Sequence, residues 1–188
     1  LSKIANTQYM LINFLEGPFL AFILSYLVKF YSAESGPDAK YLFRYNENIT
    51  AYLFMSVVVA LFMGLTVSAE EIISDRKILK RETFLNLSRF SYLSSKTAIM
   101  IIISAIQTIS YILIGNLILG IDGMFLDYWL VLFSCSLFAN MLGLNISSAF
   151  NSVVTIYILI PILLIPQLLL SGVIVKFDKL NPTLSSQT

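Results

Sequence analysis

Residues 97–121 read TAIMIIISAIQTISYILIGNLILGI, without one charged side chain. About 20 apolar residues in an α-helix cross the ~30 Å hydrocarbon core of a bilayer, so this stretch is long enough to span one. Lipid offers no partner to a bare N–H or C=O, so a lone span must be helical. Three other runs are equally free of charge: 49–69 (ITAYLFMSVVVALFMGLTVSA), 128–150 (YWLVLFSCSLFANMLGLNISSAF) and 151–175 (NSVVTIYILIPILLIPQLLLSGVIV). A fifth stretch, 9–31 (YMLINFLEGPFLAFILSYLVKFY), holds Glu16 within it and Lys29 near one end. Lys29 can snorkel to the interface, and Gly17–Pro18 permits a kink. Glu16 lies either in the interface, on an entering amphipathic segment, or inside the bundle, where a carboxylate is a functional candidate. The expected fold is an all-α membrane protein, a bundle of five transmembrane helices over about 9–31, 49–69, 97–121, 128–150 and 151–175.

Composition points the same way. Of 188 residues, 57% are hydrophobic and only 12% charged, and mean hydropathy is +0.83. Soluble domains carry roughly 25% charged residues, so too few charges are present to cover a water-facing globule. The absence of His excludes histidine metal sites and His-based relays within the chain. The single Cys135 excludes an internal disulfide or a thiolate cluster. A net charge of +1 gives no electrostatic case for nucleic acid. The chain opens on Leu without a signal-peptide layout, and is expected to be an excised piece of a longer polypeptide.

The connections are unequal. Residues 32–48 are polar, with a turn signal at Gly36–Pro37; 122–127 (DGMFLD) and 147–152 are short. Residues 70–96 (EEIISDRKILKRETFLNLSRFSYLSSK) hold Arg76, Lys77, Lys80, Arg81, Arg89 and Lys96. Such a concentration of Lys and Arg places this loop in the cytoplasm, with 32–48, 122–127 and the tail outside. Five spans ending outside suggest a sixth helix beyond the end. Within 70–96 the charges concentrate before Thr83 and the apolar residues after it. The second helix is therefore expected to run past the membrane, break near Thr83–Ser88, and be followed by a short interfacial helix. Two readings stay open: a solvated positive-inside loop, or a docking surface for a cytoplasmic partner.

Pro161 and Pro166 interrupt the fifth span, with Gln167 and Ser171–Gly172 following. Proline in a membrane helix frees carbonyls and bends the axis. It makes either a packing kink or a hinge beside a pathway. Ala139, Gly143 and Ser147 form a small-residue stripe that allows close helix approach. Gln107, Asn116, Asn140 and Asn145 are candidate interhelical hydrogen-bonding groups. Asn48-Ile49-Thr50 matches a glycosylation acceptor. No G-x-x-x-x-G-K-[ST] loop is present, so the chain cannot cradle ATP phosphates, and no G-x-S-x-G or paired intramembrane acids support a hydrolase. The chain is not expected to be an enzyme.

Two stretches resemble the membrane domain of ATP-binding cassette transporters of the type-2 permease class, especially its G-subfamily-like branch. The first is Glu71-Ile-Ile-Ser-Asp-Arg76 with Lys80-Arg81-Glu82, Leu87-Ser88, Tyr92-Leu93 and Ser95-Lys96. The second is Pro161-Ile-Leu-Leu-Ile-Pro166-Gln-Leu-Leu-Leu-Ser171-Gly172. The resemblance implies that Glu71, Arg76, Lys80, Arg81, Glu82, Ser88 and Tyr92 couple the bundle to a nucleotide-binding domain. It also implies that Pro161, Pro166 and Gly172 form a hinge. In a homodimer or pseudo-dimer, Tyr52, Met55, Phe62, Leu159, Ile162 and Gln167 would line the central path. ATP and Mg would sit on the nucleotide-binding partner, with no cofactor or metal in this chain. The implied activity is export of an amphiphilic or lipid-like substrate by a multi-pass protein of the plasma or bacterial inner membrane. Two rivals remain: a membrane anchor or assembly subunit without a pathway, and a proton-coupled carrier using Glu16.

Overall fold

The computed structural model describes residues 7–29, 48–69, 71–73, 75, 89–121, 123–150 and 152–170. Five helices follow one another: α1 (Thr7–Val28), α2 (Ile49–Ala69), α3 (Arg89–Leu119), α4 (Phe125–Ala149) and α5 (Val153–Leu170). No strand occurs among the described residues. Four helices have windows long and apolar enough to cross a membrane: Leu11–Val28, Ile49–Ile73, Phe90–Leu119 and Phe125–Ala149. The fifth is a shorter apolar helix, Val154–Leu168. The all-helical bundle read from hydropathy is the observed architecture.

Only α2 keeps the limits read from the sequence; the other helices shift, the third span most. The third span begins at Arg89 rather than Thr97, as one continuous helix of 31 residues. At 1.5 Å per residue it is about 46 Å long, well beyond the ~30 Å hydrocarbon core. Its first two turns, Arg89–Lys96, are therefore a helical extension of the span rather than a separate interfacial helix. The expected break near Thr83–Ser88 lies outside the described residues. The fifth helix is unbroken across Pro161 and Pro166. Both prolines are exposed.

The turn between α3 and α4 is tighter than 122–127, because α4 already starts at Phe125. Gly120 at φ 62° ends α3 in the left-handed conformation, and Ile121 N–H donates to Asn116 C=O at 3.2 Å. That six-to-one bond is the Schellman closure, which satisfies a carbonyl left over at the helix end. Gly123 at φ 83° completes the reversal; a β-carbon at either glycine would strain the backbone.

Packing pairs the helices unequally: α2 lies mainly along α4, and α3 mainly along α1. The α2–α4 seam is made of small residues. A β-carbon on Gly64 would come 2.5 Å from Ser136 C=O and 2.7 Å from Ala139 Cβ, and one on Gly143 would strike the Ser68 hydroxyl. The stripe Ala139, Gly143, Ser147 is buried along this seam. On the other side, a β-carbon on Gly17 of α1 would lie 3.0 Å from Gln107 C=O of α3. Close backbone approach is how helices associate when lipid and core are equally apolar.

Polar groups inside the bundle bond across or along helices. Asn140 Nδ2 and Ser136 Oγ both donate to Ser104 Oγ, at 2.7 Å and 3.1 Å. Gln107 Nε2 donates to Asn13 C=O at 3.0 Å, and Trp129 Nε1 to Thr108 Oγ1 at 3.2 Å. Two of the four amides singled out in the sequence thus tie helices together. Asn145 does not: it is exposed and donates to Met141 C=O in its own helix at 2.8 Å. An amide side chain that meets no other helix can bond to the preceding turn of its own.

Candidate functional site

The strongest polar constellation stands at one end of the bundle, where α2 finishes and α3 begins. Beyond Ala69, Glu71–Ile73 and Asp75 are also helical. The Ser147 hydroxyl oxygen accepts from Ile72 N–H at 3.1 Å and Ile73 N–H at 3.3 Å. That contact fastens the end of α2 to α4. Glu71 and Asp75 lie four residues apart, one above the other on the same helix face. Tyr92 and Lys96 repeat that spacing on α3.

The two pairs meet. Lys96 Nζ lies 2.8 Å from Glu71 Oε2 and 2.6 Å from Asp75 Oδ2. Tyr92 OH donates to Asp75 Oδ2 at 3.1 Å. The ammonium also stands 5.8 Å from the centre of the Tyr92 ring, within cation–π range. Side-chain exposure is 18% for Lys96, 14% for Asp75 and 9% for Glu71. Such shielding sets this cluster apart from surface ion pairs, most of which contribute less than about 1 kcal/mol. Charge-assisted bonds at these lengths bind two helices rigidly where the chain leaves for residues 76–88.

Of the coupling residues named from the sequence, the structure brings Glu71 and Tyr92 together; Arg76, Lys80, Arg81, Glu82 and Ser88 lie outside the described residues. Asp75 and Lys96 are the functional candidates that the site assignment missed, although both stand inside the motif. The signal that could have found them is the paired four-residue spacing, Glu71/Asp75 opposite Tyr92/Lys96.

The pathway candidates divide. Tyr52 is fully buried inside the bundle. Its hydroxyl accepts from Ser25 Oγ at 3.4 Å and presses on the space left by Gly115 of α3. Tyr111 OH donates to Ser56 Oγ at 2.9 Å one turn further along α2. Met55 and Phe62, seven residues apart and so on one face of α2, are each 38% exposed. On α5, Ile162 and Gln167 are exposed and Leu159 is half-buried. Pro161 and Pro166 sit on that helix, which packs against α2 through Ile156, Ile160 and Leu164; Gly172 lies outside the described residues. Glu16 is half-buried, three residues along α1 from the Asn13 carbonyl that Gln107 holds. No group of metal-ligating side chains occurs among the described residues.

The comparisons bear on the whole chain. A family model described as ABC-2 type transporter matches residues 1–186. Searches of curated proteins and of solved structures give no match.

Proposed function

Since the chain belongs to the ABC-2 type transporter family, and is thus the membrane part of an ATP-binding cassette transporter, we propose that residues 70–96 form its contact with the ATP-hydrolysing partner. The observation that carries this reading is the Lys96 cluster. It holds the end of α2 and the start of α3 together at the two points from which residues 76–88 depart. A push delivered to that segment reaches two long helices at once, because ion pairs 2.6–2.8 Å long leave little slack. A loop serving only to set topology needs no such fastening.

In this reading the protein is a G-subfamily-like exporter, multi-pass in a plasma or bacterial inner membrane. ATP and Mg are bound and turned over on the partner, and two copies or two homologous halves enclose the path. Met55 and Phe62 of α2 with Ile162 and Gln167 of α5 supply exposed faces for that enclosure. Apart from Gln167 these are apolar or aromatic side chains, which suit an amphiphilic or lipid-like cargo better than an ion, which needs polar ligands in place of its water.

Charge reversal at Arg81 and Glu82 tests the contact. Arg81→Glu with Glu82→Lys is expected to cut transport per ATP hydrolysed at least tenfold while the purified bundle keeps its thermal midpoint. Reconstituted vesicles with the partner measure both quantities. Unchanged transport per ATP in the double variant contradicts the assignment.

A further inference from the structure

We propose that a groove at the opposite end of the bundle from the Lys96 cluster binds one phospholipid with an ethanolamine headgroup. The groove holds about 260 Å³ and lies between the first turns of α2, the α3–α4 turn and the first turns of α4. Ile121 and Tyr128, 7% and 8% exposed, make its buried side. Tyr128 packs in turn on Tyr52, with ring centres 6.4 Å apart. Leu53, Met124 and Val131 are exposed and make its open side. Apart from Asp127, every lining side chain is apolar or aromatic. Apolar hollows do not hold water, and an alkyl chain is the occupant such a lining suits.

Depth and charge select the headgroup. Residues 97–119 of α3, about 34 Å long at 1.5 Å per residue, already cross the ~30 Å hydrocarbon core. The turn that follows therefore stands at the bilayer surface, and Tyr128 and Trp129 are the aromatic residues favoured there. Asp127, exposed at this level, is the one charged side chain on the groove. A carboxylate beside an apolar slot matches a lipid whose chain fills the slot and whose headgroup brings a cation. A primary ammonium also donates hydrogen bonds to the carboxylate, and charge-assisted bonds are the stronger kind. A choline headgroup has no N–H to give, and a phosphoglycerol headgroup brings negative charge alone. None of the groove's lining residues belongs to α5, so the site is separate from the path assigned to α2 and α5, and it does not depend on the coupling reading.

Trp129, the chain's single tryptophan, adjoins the groove-lining Tyr128 and reports on lipid there. The protein is reconstituted in phosphatidylcholine vesicles. Phosphatidylethanolamine, phosphatidylcholine or phosphatidylglycerol with brominated acyl chains, which quench indole on contact, is then titrated in. The ethanolamine lipid is expected to quench Trp129 at about fivefold lower mole fraction than the other two, the upper range for one exposed ion pair. Asp127→Asn should bring the three lipids level, and Asp127→Glu should keep the preference. Val131→Phe fills the slot without touching the carboxylate and should also abolish the preference. Equal quenching by all three lipids in the parent protein means annular lipid only and overturns the site. So does a preference for the glycerol lipid, or an ethanolamine preference that survives Asp127→Asn. The titration needs no partner and no ATP, so its failure and a failure of coupling at Arg81 and Glu82 are separate results.

Discussion

Replacing Lys96 with Met is expected to destabilise the bundle by about 3 kcal/mol, the range found when one member of a shielded ion pair is removed. Met keeps the length and apolar stem of the side chain, so the change isolates the charge. What remains is two carboxylates, Glu71 and Asp75, one turn apart and 9% and 14% exposed, without the cation that holds them. Like charges at this spacing repel, and their desolvation is no longer offset. Glu71→Gln or Asp75→Asn alone should be milder, about 1 kcal/mol, because each leaves the ammonium one carboxylate. Lys96→Arg should lie near the parent. Unfolding followed in detergent micelles checks the series, and a Lys96→Met variant within about 0.5 kcal/mol of the parent would show the cluster to be no more than a surface contact.

The second large effect belongs to the α2–α4 seam. Gly64→Ala places a methyl 2.5 Å from Ser136 C=O and 2.7 Å from Ala139 Cβ. Neither neighbour can swing away, one being backbone and the other the stub of a small side chain on a packed helix. The helices must separate by several tenths of an ångström, which costs about 2 kcal/mol on the scale of overpacked cores. Gly120→Ala is the useful contrast. Nothing lies within 4 Å of its β-carbon, but its φ is +62°, so only the backbone strain of about 1 kcal/mol is expected. The same unfolding assay ranks the two. A Gly64→Ala protein as stable as the parent would mean that the seam is looser than its backbone spacing indicates.

Much of this architecture is readable from hydropathy because lipid imposes a simple rule. A run such as Ile49–Ala69 without charge or proline has only one way to hide its backbone. The fifth span was readable as apolar, and helix α5 runs on through both of its prolines, whose exposed positions hydropathy does not reveal. The charged loop was legible as a place, less so as a geometry. Glu71 and Asp75 are two acids among several in a list of letters; their four-residue spacing on helical backbone brings both to Lys96. Ser147, 75 residues further along the chain, accepts from Ile72 N–H and fastens this end of α2 to α4.

The pathway residues illustrate the opposite difficulty. Tyr52 and Met55 are three residues apart on one uncharged helix, yet the first is enclosed and the second exposed. Apolar and aromatic side chains suit lipid, core and cavity alike, so composition cannot separate the three. What encloses Tyr52 is the missing side chain of Gly115 on α3, a pairing between distant positions that periodicity does not reveal. Ala139, Gly143 and Ser147, in contrast, were legible, because small residues at a spacing of four have few uses other than close approach.

The coupling role of residues 70–96 requires Arg81 to be accessible on the face that carries the ATP-binding cassette partner. With Cys135→Ser removing the native thiol, Arg81→Cys gives one reactive position in the segment between Asp75 and Arg89. A membrane-impermeant maleimide is predicted to label it only from the face that carries the ATP-binding cassette partner, and saturating partner is predicted to block that labelling. Labelling from the opposite face, or labelling indifferent to the partner, would contradict the coupling role assigned to residues 70–96.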